Sequence, residues 1–154
     1  GSISDACMNM PDIMPTLLGL SGVRIPSSVE GRDCSAIITG EKDPGSEGVL
    51  ISCPSPFGQW QRSRGGREYR GIRTADHTYA RDLQGPWLLY DNRNDPFQLR
   101  NLCDDPGFSS LQDEMDARLT AMLAATSDEF LPGWEYIRRS GYLVDASGTV
   151  EYRD

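Results

Sequence analysis

The 154-residue sequence has no long hydrophobic run and few basic residues. No stretch approaches the roughly 18 consecutive apolar residues of a membrane-spanning helix, and the first residues have neither the basic nor the apolar part of a secretion signal. Fifteen Lys and Arg against 23 Asp and Glu give a formal net charge of −8. Nonspecific nucleic-acid binding needs cationic side chains that displace counterions from phosphates. We therefore expect neither a membrane nor a nucleic acid as a partner.

The sequence also lacks the residue spacings of common metal sites and of closely paired cysteines. Four cysteines lie far apart at positions 7, 34, 53 and 103 with no C-x-x-C spacing, which predicts free, mostly buried thiols and no zinc site. The acidic run Asp91 to Asp95 has Arg93 where a calcium loop needs an oxygen ligand and Pro96 where it needs glycine. We interpret it as a structural turn in which both aspartates accept backbone N–H groups.

The sequence contains one histidine, His77, and it lacks the G-x-S-x-G pattern of an activated serine. A catalytic triad needs a nucleophile, a base and an orienting acid within hydrogen-bond reach. The neighbouring Asp76 points to the opposite face of an extended chain. No catalytic residue is predicted, and His77 is interpreted as a strand or turn residue.

What is present is the pattern of one ordinary globular domain, with 38% hydrophobic and 25% charged residues. Asp12 to Gly22 is predicted to be a helix capped by Asp12, with an apolar face at residues 13, 14, 17 and 18. Cys34 to Ile38 is predicted to form a second, short helix. Turn formers and charges dominate Gly40 to Gly48, which we take as the internal boundary.

After that boundary, short apolar runs bounded by Pro and Gly predict an antiparallel meander. Its strands are expected at residues 48–53, 69–74, 78–82 and 86–91. Ser109 to Thr126 is predicted to be a helix that covers the sheet, because Leu and Met recur every three or four residues, and Ser109 with Gln112 fits a capping box. The tail is expected to turn at residues 145–148 and to end in an extended segment at 149–152.

Arginine is concentrated between Arg62 and Arg81, where six occur, at positions 62, 64, 67, 70, 73 and 81. Such a cluster indicates either a hairpin with a solvated arginine face or a local site for an anionic small molecule on an acidic protein.

Two blocks of the sequence resemble sulfatases. The run Asp12 to Val23, followed by Ile25-Pro26 and by Glu30 to Asp33, is similar to the sulfatase pattern D-x-x-P-T-L-L-x-L-x-G, x-P and x-G-R-x-L. Arg73-Thr74 with Tyr79, then Leu89 to Pro96 and Leu99 to Leu102, is similar to R-T-x-x-Y-x-Y followed by L-Y-D-L-x-x-D-P-x-E-x-x-N-L. The chain therefore resembles the C-terminal portion of a sulfatase of the alkaline phosphatase superfamily.

The resemblance implies an α+β fold, with a small antiparallel sheet of about four strands covered by a C-terminal helix. It implies that residues 1–45 are an arm derived from the end of the catalytic domain and that residues 46–154 form the C-terminal subdomain. The parent enzyme would hydrolyse sulfuric esters of a small molecule or glycan, using formylglycine and a calcium or magnesium ion. This chain has no counterpart of those catalytic and metal-binding motifs, so we expect the fragment alone to be inactive.

The resemblance also implies that this region completes the wall of the substrate pocket. Candidate substrate-binding residues are Gln59, Trp60, Arg62, Arg64 and Arg67 in a glycine-rich loop, together with His77. The alternative for the loop is an exposed hairpin tip with Trp60 packed on the sheet. Rival interpretations are the same region of a phosphonate or phosphodiester hydrolase, and a stand-alone binding or assembly module. The apolar face of the first helix would lack its partner in this chain, which predicts self-association through the N-terminal arm.

Overall fold

A computed structural model describes residues 3–4, 6–41 and 48–145. The helices are α1 (Met10–Leu20), α2 (Ser35–Ile38), α3 (Ser109–Ala125) and α4 (Gly133–Arg139). The strands are β1 (Val49–Cys53), β2 (Tyr69–Arg73), β3 (His77–Asp82) and β4 (Gly85–Asp91), and the connections contain three short 3-10 turns, at residues 58–60, 62–64 and 106–108. Within this part of the chain, no helix is long and apolar enough to cross a membrane.

The four strands form one antiparallel sheet in the order β1-β2-β3-β4, so the predicted meander is confirmed. Ile72 pairs with Leu50 on one side and with Tyr79 on the other, and Tyr79 pairs with Leu89. Because side chains alternate across a strand, this register places one apolar row on a single face of the sheet.

Helix α3 covers that face, as predicted. Its residues Met115, Leu119 and Leu123 are buried against Ile72, Tyr79, Leu89 and Leu102, and this cluster is the core of the domain. The Tyr79 hydroxyl donates to Asp116 Oδ1 at 2.8 Å. Burial and that carboxylate raise the pKa of Tyr79 far above the usual range of tyrosine. The α+β fold with a helix-covered sheet is therefore confirmed.

Both predicted helix caps are wrong. Helix α1 begins at Met10, two residues before the predicted start, because Asn9 is its N-cap. Asp12 accepts the Asn9 N–H at 2.8 Å and so completes a capping box. Ser109 Oγ donates to the Pro106 carbonyl instead of capping α3, and Gln112 accepts the N–H of Asp104. The α1 end is as predicted, because Gly22 has the left-handed φ of 66° that a glycine stop provides.

The N-terminal arm contacts the sheet edge, where Asn9 Nδ2 donates to the Leu50 carbonyl at 2.6 Å. Helix α1 turns its polar side inward, with Asp12 and Thr16 buried against the 30–34 segment, while Ile13, Met14 and Leu17 are each more than 40% exposed. The predicted apolar face, which includes the half-buried Leu18, thus lies at the surface next to Met10. The domain boundary predicted at 40–48 falls mostly on residues 42–47, outside the described residues, as do the end of the predicted 145–148 turn and the final extended segment.

The corner after β4 has the predicted role. Asp91 Oδ1 accepts the N–H groups of Arg93 and Asn94, and Asp95 Oδ2 accepts the N–H of Arg100 at 2.8 Å. The Asn94 side-chain amide also donates to Asp91 Oδ2 at 2.7 Å, and this bond with the backbone donors holds the pKa of Asp91 below its usual range. The backbone donors, Arg100 first, do the same for the pKa of Asp95. The cysteines are free thiols, but Cys34 alone of the four is buried and the others are half-buried, so the prediction of mostly buried thiols is wrong.

Candidate functional site

The candidate site is the loop that joins β1 to β2, residues 54–68, which we call the 54–68 loop. Pro54 and Pro56 follow β1 and cannot donate to a further strand pairing. The loop then folds back on itself, because the Gly66 N–H donates to the Gln61 carbonyl at 3.1 Å. A Cβ at Gly66 would lie 1.6 Å from the Trp60 carbonyl oxygen. A glycine is therefore required for the loop to close.

Trp60 packs against an aromatic and cationic group at the edge of the sheet. Its ring is stacked on Trp87 with centroids 6.3 Å apart, and Tyr69 lies 5.8 Å from the same Trp87 ring. The Arg67 guanidinium carbon lies 4.7 Å from the Trp87 centroid and pairs with Asp82 at 2.7 Å. Trp60 is still 41% exposed, so it offers part of its ring to a ligand on a fixed support.

Arg62 is held by the one acidic residue of the loop, Glu68. The Glu68 side chain is 2% exposed, accepts from both terminal nitrogens of Arg62 and accepts the Gly133 N–H at 2.8 Å. Burial alone raises the pKa of Glu68, but the Arg62 and Gly133 donors outweigh burial and the pKa is lowered. Glu68 is therefore a carboxylate that ties the loop to the start of α4.

Gln59 and Arg64 are the polar residues of the predicted set whose exposed side chains have no ion-pair partner among the described residues. Neither side chain makes a hydrogen bond or ion pair with the residues that the structure describes. Of the six clustered arginines, four form ion pairs, with Glu68, Asp82, Asp128 and Asp116, and Arg73 donates to Thr78 Oγ1. Arg64 is thus the arginine of the cluster whose guanidinium has no partner among the described residues, which leaves all five of its N–H groups for an anion.

The structure does not bring His77 to the other five residues. The 54–68 loop leads into Tyr69, whose strand partner is Asp82, whereas His77 begins β3 at the opposite end of the sheet and pairs with Asp91. Five residues of strand rise about 3.3 Å each, or roughly 16 Å in total. We therefore leave His77 out of the candidate site, and the role of the five loop residues in binding stays a prediction.

Sequence reasoning missed the element that supports the loop from behind, helix α4. The buried Arg70 on β2 pairs with Asp128 and donates to the Tyr136 hydroxyl at 3.2 Å, and its guanidinium lies 4.8 Å from the Phe130 ring centroid. A Cβ at Gly133 would lie 2.7 Å from the Pro54 carbonyl oxygen. The available signal was weak: Glu135 is spaced three and four residues from Arg138 and Arg139, as in helix surface pairs.

The described residues include no group of three or more His, Cys, Asp or Glu side chains that could hold a metal ion. Cys53 ends β1, and burial raises the pKa of its thiol, which lowers its reactivity as a nucleophile. The described residues therefore do not fit a calcium or magnesium centre. What the arrangement offers is a surface for binding.

Comparison with known proteins identifies the family. Residues 1–125 match the family described as "N-sulphoglucosamine sulphohydrolase, C-terminal". The chain belongs to this family of sulfatase C-terminal domains, and the resemblance seen in the sequence is confirmed. Helix α4 lies beyond the matched residues.

The relatives support the same assignment. The chain is 39% identical over 143 residues to an ulvan-active sulfatase of Formosa agariphila, a match that covers 93% of this chain and 27% of that protein. It superposes on a 2-O GAG sulfatase with a TM-score of 0.64 at 26% identity, over 88% of this chain and 27% of the other. A phosphonate monoester hydrolase of Silicibacter pomeroyi shares the fold, with a TM-score of 0.58 at 24% identity, over 78% of this chain and 26% of the other. The chain spans about a quarter of the length of these proteins.

Proposed function

We propose that this chain forms the C-terminal part of a sulfatase that hydrolyses sulfate esters on a carbohydrate. Its family and its similarity to an ulvan-active sulfatase and a 2-O GAG sulfatase support the proposal. The sequence has no Cys/Ser-x-Pro-Ser-Arg motif, and the described residues offer no metal centre. Formylglycine and the calcium or magnesium ion would therefore be supplied by the rest of the enzyme, whose bond-breaking step this chain does not perform.

Within that enzyme, the 54–68 loop is proposed to bind the sulfated sugar. The observation that carries this proposal is the exposed pair of Trp60 and Arg64 on a loop held by Gly66 and Glu68. A guanidinium with free N–H groups makes charge-assisted hydrogen bonds to an anionic oxygen group. The indole offers an apolar face to the ring that carries it.

A titration of the 154-residue chain with a sulfated monosaccharide, followed by NMR, tests the role of the loop. We expect the Trp60 indole signal to shift, and Arg64→Ala to weaken binding about tenfold, the size of one charge-assisted contact. Arg93→Ala is the matched control, because Arg93 is an exposed arginine beyond the other end of β4. Equal affinities of the two variants would contradict the role of Arg64.

The phosphonate hydrolase that shares this fold defines the second candidate function. The two ester classes carry the same charge, since a sulfate monoester and a phosphonate monoester each carry one negative charge near neutral pH. Competition between methyl sulfate and a methyl phosphonate monoester for the loop therefore compares the two classes at equal charge. Our proposal requires methyl sulfate to compete at least as well as the phosphonate monoester at the same ionic strength.

A further inference from the structure

A second concave surface adjoins the 54–68 loop, on the side of α4. It is a cleft of about 780 Å³ between the loop, α4 and the segment that follows α4. The loop contributes residues 61–63, which lie between Trp60 and Arg64 in the chain. Helix α4 and the following segment contribute Trp134, Ile137, Arg138 and residues 142–145. The cleft therefore shares the 54–68 loop with the proposed sulfate-binding site, although Trp60 and Arg64 do not line it.

The walls of the cleft are tied together by buried contacts. Glu68 joins Arg62 on one wall to the Gly133 N–H at the base of the other. The Gly133 backbone packs so closely on the start of the loop that a Cβ would lie 2.8 Å from Ser55 Cβ. The buried Arg70 fixes α4 through Asp128 and Tyr136. The cleft is thus formed before any ligand arrives, which lowers the entropic cost of binding.

The lining of the cleft combines exposed rings with unused hydrogen-bond donors. Trp134 is 60% exposed and Tyr142 is 65% exposed, so a ligand in the cleft can reach both rings. Arg62 and Arg138 each donate hydrogen bonds from two nitrogens to a glutamate. A guanidinium has five N–H groups, so each retains donors that a ligand can reach. Glu68 and Glu135 offset both charges, so the cleft suits a neutral ring with hydroxyl groups better than a bare anion.

We infer that this cleft is a second saccharide subsite, which holds another sugar ring of the oligosaccharide whose sulfated ring lies on the 54–68 loop. Trp134 and Tyr142 pack against the apolar face of that ring, and Arg62 and Arg138 donate to its hydroxyl groups. Its volume lies within the range of small-ligand sites, which combine apolar walls with a few polar groups. The subsite rests on the proposed function and deepens it, because it predicts a preference for oligosaccharides over monosaccharides.

Two probes and two classes of variant test the inference with the full chain. The probes are a sulfated tetrasaccharide prepared from ulvan and a sulfated monosaccharide, both titrated by NMR. Trp134→Ala is expected to weaken tetrasaccharide binding about tenfold, the scale of a central aromatic contact, and to change monosaccharide binding less than twofold. Trp60→Ala is expected to weaken both. Phe97→Ala, at another exposed aromatic residue, should change neither.

The outcomes separate the two proposals. If Trp60→Ala weakens both probes while Trp134→Ala changes neither, the loop function stands and the second subsite is wrong. If neither probe binds the chain, both proposals are wrong. If Trp134→Ala lowers the melting temperature of the free chain and leaves tetrasaccharide affinity unchanged, Trp134 packs within the chain and the subsite is again wrong.

Discussion

The buried ion pair between Arg70 and Asp128 gives the sharpest prediction about the structure. The Arg70 side chain is 3% exposed and that of Asp128 is 19% exposed. Asp128 also accepts the Phe130 N–H at 2.8 Å and the Tyr136 hydroxyl at 3.0 Å. Asp128→Ala would leave a buried guanidinium without its counter-charge. Breaking a buried pair in this way costs about 3–5 kcal/mol, which in a chain of this size lowers the melting temperature by roughly 10 °C.

The assay is urea unfolding of the wild type, Asp128→Ala and a matched control. Asp76→Ala is that control, because Asp76 pairs with Arg93 and both side chains are about half exposed. Exposed pairs contribute at most about 1 kcal/mol. A double variant, Arg70→Met with Asp128→Leu, should be less destabilised than Asp128→Ala, since it removes both charges. If Asp128→Ala lowers the free energy of unfolding by less than about 1 kcal/mol, the size of an exposed pair, the pair does not stabilise the fold as a buried ion pair.

The same pair predicts a pH dependence. Burial raises the pKa of Asp128, but the bonds from Arg70, Phe130 and Tyr136 outweigh it and the pKa is lowered. A carboxyl group whose pKa is lowered by folding stabilises the fold fully above its unfolded pKa of about 3.9, and this contribution is lost as the pH falls through the folded value. The stability difference between wild type and Asp128→Asn should therefore be constant above about pH 5 and shrink below it. A constant difference down to pH 2 would contradict the assigned direction.

Three further predictions concern other parts of the chain. Gly66→Ala should lower the free energy of unfolding in urea by about 1–3 kcal/mol, because its Cβ would meet the Trp60 carbonyl. The control Gly107→Ala should be tolerated, because its Cβ would meet only a side chain at 3.3 Å. Equal losses of stability in the two variants would contradict this prediction. Asp95→Ala should cost about 1 kcal/mol through its lost turn contacts, and melting unchanged against wild type would count against a structural corner. The isolated chain should self-associate through the exposed face of α1, and light scattering should return a monomer mass for Leu17→Glu; a monomeric wild type would show that the idea is wrong.

The sheet and α3 could be predicted from sequence because their signals are local. Strand alternation, the glycines and prolines between strands, and the Leu and Met spacing of α3 all lie within windows of a few residues. Helix α4 has only seven residues, and contacts between residues far apart in sequence hold it in place. Arg70 pairs with Asp128, 58 positions later, and Glu68 accepts the N–H of Gly133, 65 positions later. No local pattern contains those pairs, so a window of sequence does not predict the helix.

The candidate site divides in the same way. The glycines and arginines of the 54–68 loop indicated a binding loop, but their partners did not follow from composition. Arg67 is neutralised by Asp82, 15 positions away, and Trp60 packs on Trp87 of β4. His77 was included among the candidate binding residues, but the strand register places it at the far end of the sheet from the loop. The cleft beside α4 depends on a helix that the sequence did not reveal.

The most direct test of the central claim is the release of inorganic sulfate from a sulfated ulvan oligosaccharide by a polypeptide of the relatives' length that ends in this chain. We predict release by that polypeptide and none by the 154 residues alone. The paired variant Trp60→Ala with Arg64→Ala should raise KM more than tenfold with a smaller change in kcat, since the loop is proposed to bind substrate without taking part in the chemistry. Sulfate release by the isolated chain, or an unchanged KM in the paired variant, would contradict the account.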